Sequence, residues 1–395
     1  MKLGSKSSTA RQLGGITALA FMFALAMMIG ALPGCADGNS SKPQQTTGAA
    51  TTKKTTPSVD PMADRTITDD AGRTVTIPGV GKLKKIYFTS PVAQILCFTL
   101  APELSGGTTM EFSEYELRYL PAGTADLPYL GSLAAGGKLN PEAIVAEGIQ
   151  VIFNVSSVAL TDSDISTCDE LQAQTGIPVV AIDGSLENVS LAYRQLGQLL
   201  GKVAEAEVLA SYCEDRIDAV EAAVAGVPAN ERLAVYYAEG PKGLQTEPEA
   251  SQHAIVFTLA GAKNVAVDIA VGSAKGMSDV SLEQVLAWDP QVIIAWDDQV
   301  RGGADELIRT NPDWATISAV KDGRVYTMPN TPFSWCDRPP SVNRFLGIQW
   351  LANTLYPEDY AVDMVEVTKE FYSLFYHVTL TDAQAQELLG NSYSR

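Results

Sequence analysis

Two stretches of this 395-residue chain read alike, and the distance between them limits what it can fold into. Leu139-Asn140-Pro141-Glu142-Ala143-Ile144 leads into Ile149-Gln150-Val151-Ile152-Phe153, and Val280-Ser281-Leu282-Glu283-Gln284-Val285-Leu286 leads into Asp289-Pro290-Gln291-Val292-Ile293-Ile294. Each is a short helix with a cap candidate, Asn140 or Ser281, running into a continuous apolar strand of the kind buried on both faces of a parallel sheet. Glu142 and Glu283 are 141 residues apart. That spacing is too long for a solenoid repeat and suits one copy in each of two lobes.

Further apolar runs at 85–89, 179–182, 233–237 and 325–328 alternate with helical stretches. The alternation predicts an α/β protein of two lobes, each a mostly parallel sheet covered by helices. From Leu186 to Val224, apolar residues recur at the helical period with no interior proline, at Leu191, Leu196, Leu199, Leu200, Val203, Val208, Leu209, Ile217 and Val220. One long rigid helix over 187–225 is therefore expected to join a lobe at 64–186 to a lobe at 226–395. A helical link of this kind allows only a small hinge motion.

Ahead of the lobes stands an address. Lys2, Lys6 and Arg11 precede the apolar run from Ile16 to Leu32, which stops at Leu32-Pro33-Gly34-Cys35. Residues 1–34 thus have the layout of an export signal, and the box before Cys35 resembles the lipoprotein cleavage site, so that Cys35 would carry the lipid and become the first residue. Residues 35–63 are Thr, Ser, Gln, Lys and Gly with few apolar residues and read as a disordered stalk. The full chain carries a formal charge of −18; loss of residues 1–34, with three bases and no acid, takes it to −21. An acidic surface argues against nucleic acid and suits a soluble monomer outside the cytoplasm. Cys97, Cys168, Cys213 and Cys336 are scattered without C-x-x-C spacing, so no zinc knuckle or thioredoxin-type motif is present; they read as buried thiols, with one or two disulfides as the alternative.

Residues 66 to about 380 resemble the periplasmic-binding family for iron-siderophore, haem and vitamin B12 uptake. Three matches carry the resemblance: the opening hairpin Ile67-Thr68-Asp69-Asp70-Ala71-Gly72-Arg73-Thr74-Val75-Thr76-Ile77-Pro78, the two glutamate repeats, and Asn311-Pro312-Asp313-Trp314 through Val320-Lys321-Asp322-Gly323-Arg324-Val325-Tyr326. The resemblance implies lobes sharing one backbone helix, no cofactor, and an ABC permease with its ATPase as partners. It also implies that Glu142 and Glu283 dock onto arginine pockets of that permease. A glutamate favoured by the helix dipole in the first turn satisfies the same pattern.

In open α/β sheets the ligand lies beyond the carboxyl ends of the strands. That rule selects Ser90, Tyr119 and Asn154 in the first lobe, and Tyr237, Trp296, Phe333, Trp335 and Arg338 in the second. The loop Thr331-Pro332-Phe333-Ser334-Trp335-Cys336-Asp337-Arg338-Pro339-Pro340 sets two aromatics to stack on a ligand and an arginine to fork onto its oxygens. His253 is a weak candidate metal ligand, and His377, in an amphipathic terminal stretch, reads as structural. Aromatics beside arginine point first to a ferric siderophore, then to a corrinoid or haem. An enzyme is not expected, since the chain has no G-x-S-x-G, H-E-x-x-H, P-loop or G-x-G-x-x-G and only two histidines. A carboxylate-pair hydrolase and a ligand sensor without a permease are the remaining alternatives.

Overall fold

The computed structural model describes residues 60–270, 276–297, 299 and 301–390. The expected export signal, Cys35 and the stalk up to residue 59 lie outside the described residues. The first lobe opens with a hairpin, β1 (Arg65–Thr68) and β2 (Thr74–Ile77), followed by β3 (Ile86–Phe88), α1 (Pro91–Leu100), α2 (Glu114–Leu117), α3 (Pro141–Ala146), β4 (Val151–Ser156), α4 (Asp162–Thr175) and β5 (Val179–Asp183). Strands β3, β4 and β5 form a parallel three-stranded sheet in that order, with Tyr87 opposite Ile152 and Phe153 opposite Val180. Ser90 caps α1 and Pro91 occupies its first turn, where a missing N–H costs nothing.

Two helices follow, α5 (Val189–Leu200) and α6 (Val203–Val224). The second lobe then contains β6 (Ala234–Ala238), β7 (Gln245–Thr246), α7 (Ile255–Leu259), β8 (Lys263–Asn264), β9 (Ser278–Asp279), α8 (Leu282–Trp288), β10 (Val292–Ala295), α9 (Asp305–Thr310), α10 (Ser318–Lys321), β11 (Val325–Thr327) and α11 (Arg344–Leu355). Its main sheet is parallel throughout, in the order β11-β10-β6-β8. The chain ends with α12 (Met364–Phe375) and α13 (Asp382–Leu389).

The duplicated unit appears as α3 leading into β4 and α8 leading into β10. Asn140 and Ser281 accept from the third backbone N–H of their helices, and each helix is followed by a residue with positive φ, Gly148 at 72° and Asp289 at 43°. The expected fold class holds, but the connector differs. The helix expected over 187–225 is broken by Gly201, which takes φ 74° and ends α5, so α5 and α6 form a tight antiparallel pair. A Cβ on Gly197 would press into Ala206, so this glycine lets the two helices approach. The bridging helix is the 22-residue α6 alone, which packs on α1 of one lobe and on α7 and α11 of the other.

The chain crosses between lobes a second time. Residues of α12, expected in the second lobe, reach the first lobe and the connecting helices: Tyr372 lies 6.0 Å from the Tyr119 ring of the first lobe, and Phe375 lies 6.2 Å from Tyr193 in α5 and 5.3 Å from Tyr212 in α6. The apolar face of α12 finds its partners there rather than on the sheet that precedes it in sequence. Tyr115 in α2 also donates to Glu387 in α13 across 3.1 Å. Two crossings make large domain motion costlier than one.

Candidate functional site

The carboxyl edge of the second-lobe sheet brings three acids together from distant parts of the chain. Glu239 follows β6, Glu247 follows β7 and Asp337 lies in the loop after β11; all three are fully buried, and their carboxylate oxygens lie within 4.8 Å of one another. Such a set could grip a divalent cation, but a guanidinium already stands there. Arg338 pairs with Glu247 through Nη2, with Asp337 through Nε at 3.1 Å and with Glu239 through Nε at 3.4 Å. Glu247 also accepts from Ser251 Oγ at 2.6 Å and from the Met277 N–H at 2.8 Å. Arg338 is therefore the cation of an internal cluster, and its fork is engaged by the protein itself.

Burial, reinforced by neighbouring Asp337 and partly offset by Arg338, pushes the Glu239 carboxyl up to about 9. In the unfolded chain a glutamate loses its proton near pH 4.3. Between those values the native state holds a proton that the unfolded state has released, so stability falls as pH rises through that window. Glu239→Gln should flatten the fall, which can approach about 1.4 kcal/mol per pH unit for one proton. Urea unfolding of both proteins at several pH values between 5 and 9 checks this; parallel curves would refute it.

Tyr237 and Trp296 belong to the same constellation. Trp296 Nε1 donates to Tyr237 Oη at 2.6 Å, and Tyr237 Oη donates to Asp337 at 3.2 Å. Strand alternation sends Tyr236 the other way, where its hydroxyl donates to the Gly243 carbonyl. His253 lends Nδ1 to Asp337 while Nε2 lies 3.5 Å from Arg338 Nη1. With both ring nitrogens occupied, His253 is a partner of the cluster and not a free metal ligand.

Two of the aromatics chosen from sequence prove to be packing residues. Trp335 is fully buried with its indole N–H on Tyr372 Oη at 3.3 Å, and a Cβ on Gly347 would collide with its carbonyl. Phe333 is buried between Phe112, edge-on at 5.9 Å, and Tyr376 at 6.1 Å. The proline-rich loop folds inward onto α11 and α12 instead of presenting rings to solvent. Tyr119 is likewise fully buried, and among the described residues its hydroxyl has no hydrogen-bond partner.

Ser90 stands just beyond the carboxyl end of β3, while Asn154 lies within β4, two residues before its end. Ser90 Oγ accepts from the Ala93 N–H at 3.4 Å, and Asn154 Oδ1 accepts from Thr89 Oγ1 at 2.7 Å. The lobes meet around this edge: Ser157 Oγ donates to Gln252 Oε1 at 3.3 Å.

Sequence reading missed two guanidinium groups with little internal company, Arg344 and Arg301. Arg344, the first residue of α11, is 2% exposed, and the only hydrogen bond of its side chain among the described residues is Nε to the Ser341 carbonyl at 3.4 Å. Burial lowers its pKa to about 10, partly countered by Asp337 and by Glu187 of the first lobe. Arg301 makes no ion pair or side-chain hydrogen bond among the described residues; burial lowers its pKa too, against Tyr237, Asp337 and Glu116 of the first lobe. Both arginines share Asp337 as a neighbour, and both feel an acid from across the lobe boundary. The signal for Arg344 was present: it opens Arg-Phe-Leu-Gly-Ile-Gln-Trp-Leu, a helix too apolar all round to be anything but buried.

Glu142 and Glu283 are exposed in the first turns of α3 and α8. The carboxyl of Glu283 is held below its usual range by its own backbone N–H and by Ser281. Cys97, Cys168, Cys213 and Cys336 are buried free thiols.

A family model described as periplasmic binding protein matches residues 157–332. The molybdate-binding protein MolA of Haemophilus influenzae is 27% identical over 345 residues, covering 80% of this chain and 92% of that protein. A solved ABC transporter solute-binding protein from Sulfurospirillum deleyianum superposes with a TM-score of 0.73 at 29% identity, over 82% of this chain and 98% of that one. The structure of MolA bound to molybdate superposes with a TM-score of 0.61 at 23% identity, over 80% and 99% of the two chains.

Proposed function

We propose that this chain is an ABC-transporter solute-binding protein of the periplasmic-binding kind, and not an enzyme, which captures a small anionic solute of the metal-oxyanion class between its lobes and delivers it to the permease; the family model over residues 157–332 and the relative 27% identical over 80% of this chain support the reading. The observation that carries this reading is Arg344. A guanidinium offers five donors, and burying it with one long hydrogen bond is costly unless another acceptor completes the set. An oxyanion supplies several acceptors in a small volume and suits the guanidinium fork. Arg301, unpaired among the described residues and sharing Asp337 as a neighbour, adds a second positive charge.

A ferric siderophore, the first expectation from sequence, is the second reading. Burial of Trp335 and Phe333 removes the flat aromatic surface that a bulky chelate, a corrinoid or haem would use. Half-buried Phe112 against Phe333 is the observation that still favours a chelate. The 27% identical relative named as molybdate-binding supports the oxyanion reading over it. Docking through Glu142 and Glu283 and tethering through a lipid on Cys35 belong to the same proposal. A tether would hold the lobes at high effective concentration beside the importer.

The test is the mass and absorbance spectrum of whatever co-purifies with the protein, followed by titration with molybdate, tungstate, sulfate, a ferric catecholate, cobalamin and haem. We expect an oxyanion to bind in the micromolar range or tighter, at about −8 kcal/mol or better. Binding of the ferric catecholate alone would transfer the assignment to the second reading.

A further inference from the structure

The connecting helix carries a concave surface that solute capture leaves unused. Between α6, α12 and the end of α1 lies a groove of about 1040 Å³. Its floor is apolar, with Leu209 and Tyr212 from α6 buried and Leu374 from α12 half-buried. Val208 beside them is 53% exposed.

The rim is acidic. Glu205 and Asp215 stand on the groove face of α6, and among the described residues neither makes an ion pair or side-chain hydrogen bond. Glu370 adds a third acid from α12 and Glu207, paired with Arg194, a fourth; Arg216 lies over the Tyr212 ring at 4.8 Å and 3.9 Å from Glu370, and His377 also lines the groove. Glu205 and Asp215 are ten residues apart on one helix, about 15 Å along its axis, with Val208 and Tyr212 between them at helical spacing.

We propose that this groove docks a basic amphipathic helix of a protein partner, its apolar face on Val208, Leu209, Tyr212 and Leu374 and its cationic side chains on Glu205 and Asp215. An apolar stripe flanked by charges about three turns apart is the pattern by which helices are read in grooves. Charge selects the occupant: an anionic lipid surface or a nucleic acid is repelled by the rim, and a second copy of this chain carries −18 overall. Because α6 and α12 are the two crossings between lobes, a helix seated here would fix their relative position and bear on opening of the cleft.

The probe is an amidated peptide of about 14 residues, Leu and Lys placed at helical spacing, labelled for fluorescence anisotropy against the full-length protein. Saturable one-to-one binding is expected. The double substitution Glu205→Lys and Asp215→Lys should weaken it by about tenfold or more, equivalent to ~1.4 kcal/mol. The equal charge change Glu306→Lys and Asp313→Lys, at exposed positions outside the groove, should weaken it by less than about twofold. Circular dichroism and the oxyanion titration of each variant report folding and the cleft separately. Equal weakening by both pairs, or no saturable binding, would overturn the proposal.

Discussion

Replacing Arg344 with methionine should abolish anion capture while leaving the protein at least as stable as before. The guanidinium is 2% exposed and poorly satisfied, and exchange of a buried ion for an apolar residue of similar size is often neutral or stabilising by about 1–4 kcal/mol. Its loss from a ligand complex has the opposite sign. Truncating one partner of a buried, hydrogen-bonded charge pair costs about 2–5 kcal/mol, which is roughly thirtyfold to several-thousandfold in Kd. Arg344→Lys keeps the charge and loses the fork, so its affinity should fall between the two. Calorimetric titration with molybdate and urea unfolding of each variant measure the two quantities independently. A structural arginine would behave in reverse, with stability lost and any affinity kept.

Reversing both docking acids, Glu142→Lys with Glu283→Lys, should cut uptake into cells by more than about tenfold with solute affinity unchanged. Each carboxylate stands exposed in the first turn of a short helix. Loss of the favourable helix-end interaction costs only about 0.3–1 kcal/mol at each position, too little to unfold either lobe. The single substitutions should each produce part of the defect, since the proposed docking uses one carboxylate from each lobe. Transport assays with radiolabelled solute, alongside binding assays on the same purified variants, separate docking from capture. Uptake that stays unchanged would remove these two residues from the permease interface.

Much of this architecture was legible because buried parallel strands are continuous apolar runs. The stretches Ile149 to Phe153 and Asp289 to Ile294 carry that signature together with a capped helix ahead of each, and both become β4 and β10 as expected. Gly201 was not read as a break because the apolar period resumes at Val203 in nearly the same phase. The return of α12 to the first lobe was hidden for a different reason: an amphipathic pattern says that Phe371 and Phe375 are buried, not against which neighbour.

The site was less legible than the fold. Glu239, Glu247 and Asp337 follow β6, β7 and β11, and meet because β6, β10 and β11 are parallel neighbours in one sheet with their carboxyl ends on the same side. Arg338 was chosen for its place in a loop, and its fork turned out to be taken by those acids. Trp335 was chosen because prolines surround it, yet prolines restrict a chain without saying whether it turns outward. Arg344 was overlooked because it begins a helix and not a loop, although a lone cation in an apolar helix requires a buried partner.

The central claim is that the protein closes on an anion held by arginine in the cleft. Trp296 donates to Tyr237, which donates to Asp337, and Asp337 is a neighbour of both Arg301 and Arg344. Tryptophan fluorescence during titration of the purified protein with molybdate therefore tests the claim most directly. The account predicts a saturable one-to-one change in the micromolar range, lost in Arg344→Met and retained when Glu142 and Glu283 are both reversed. A titration without saturation, or one that Arg344→Met leaves unchanged, would contradict it.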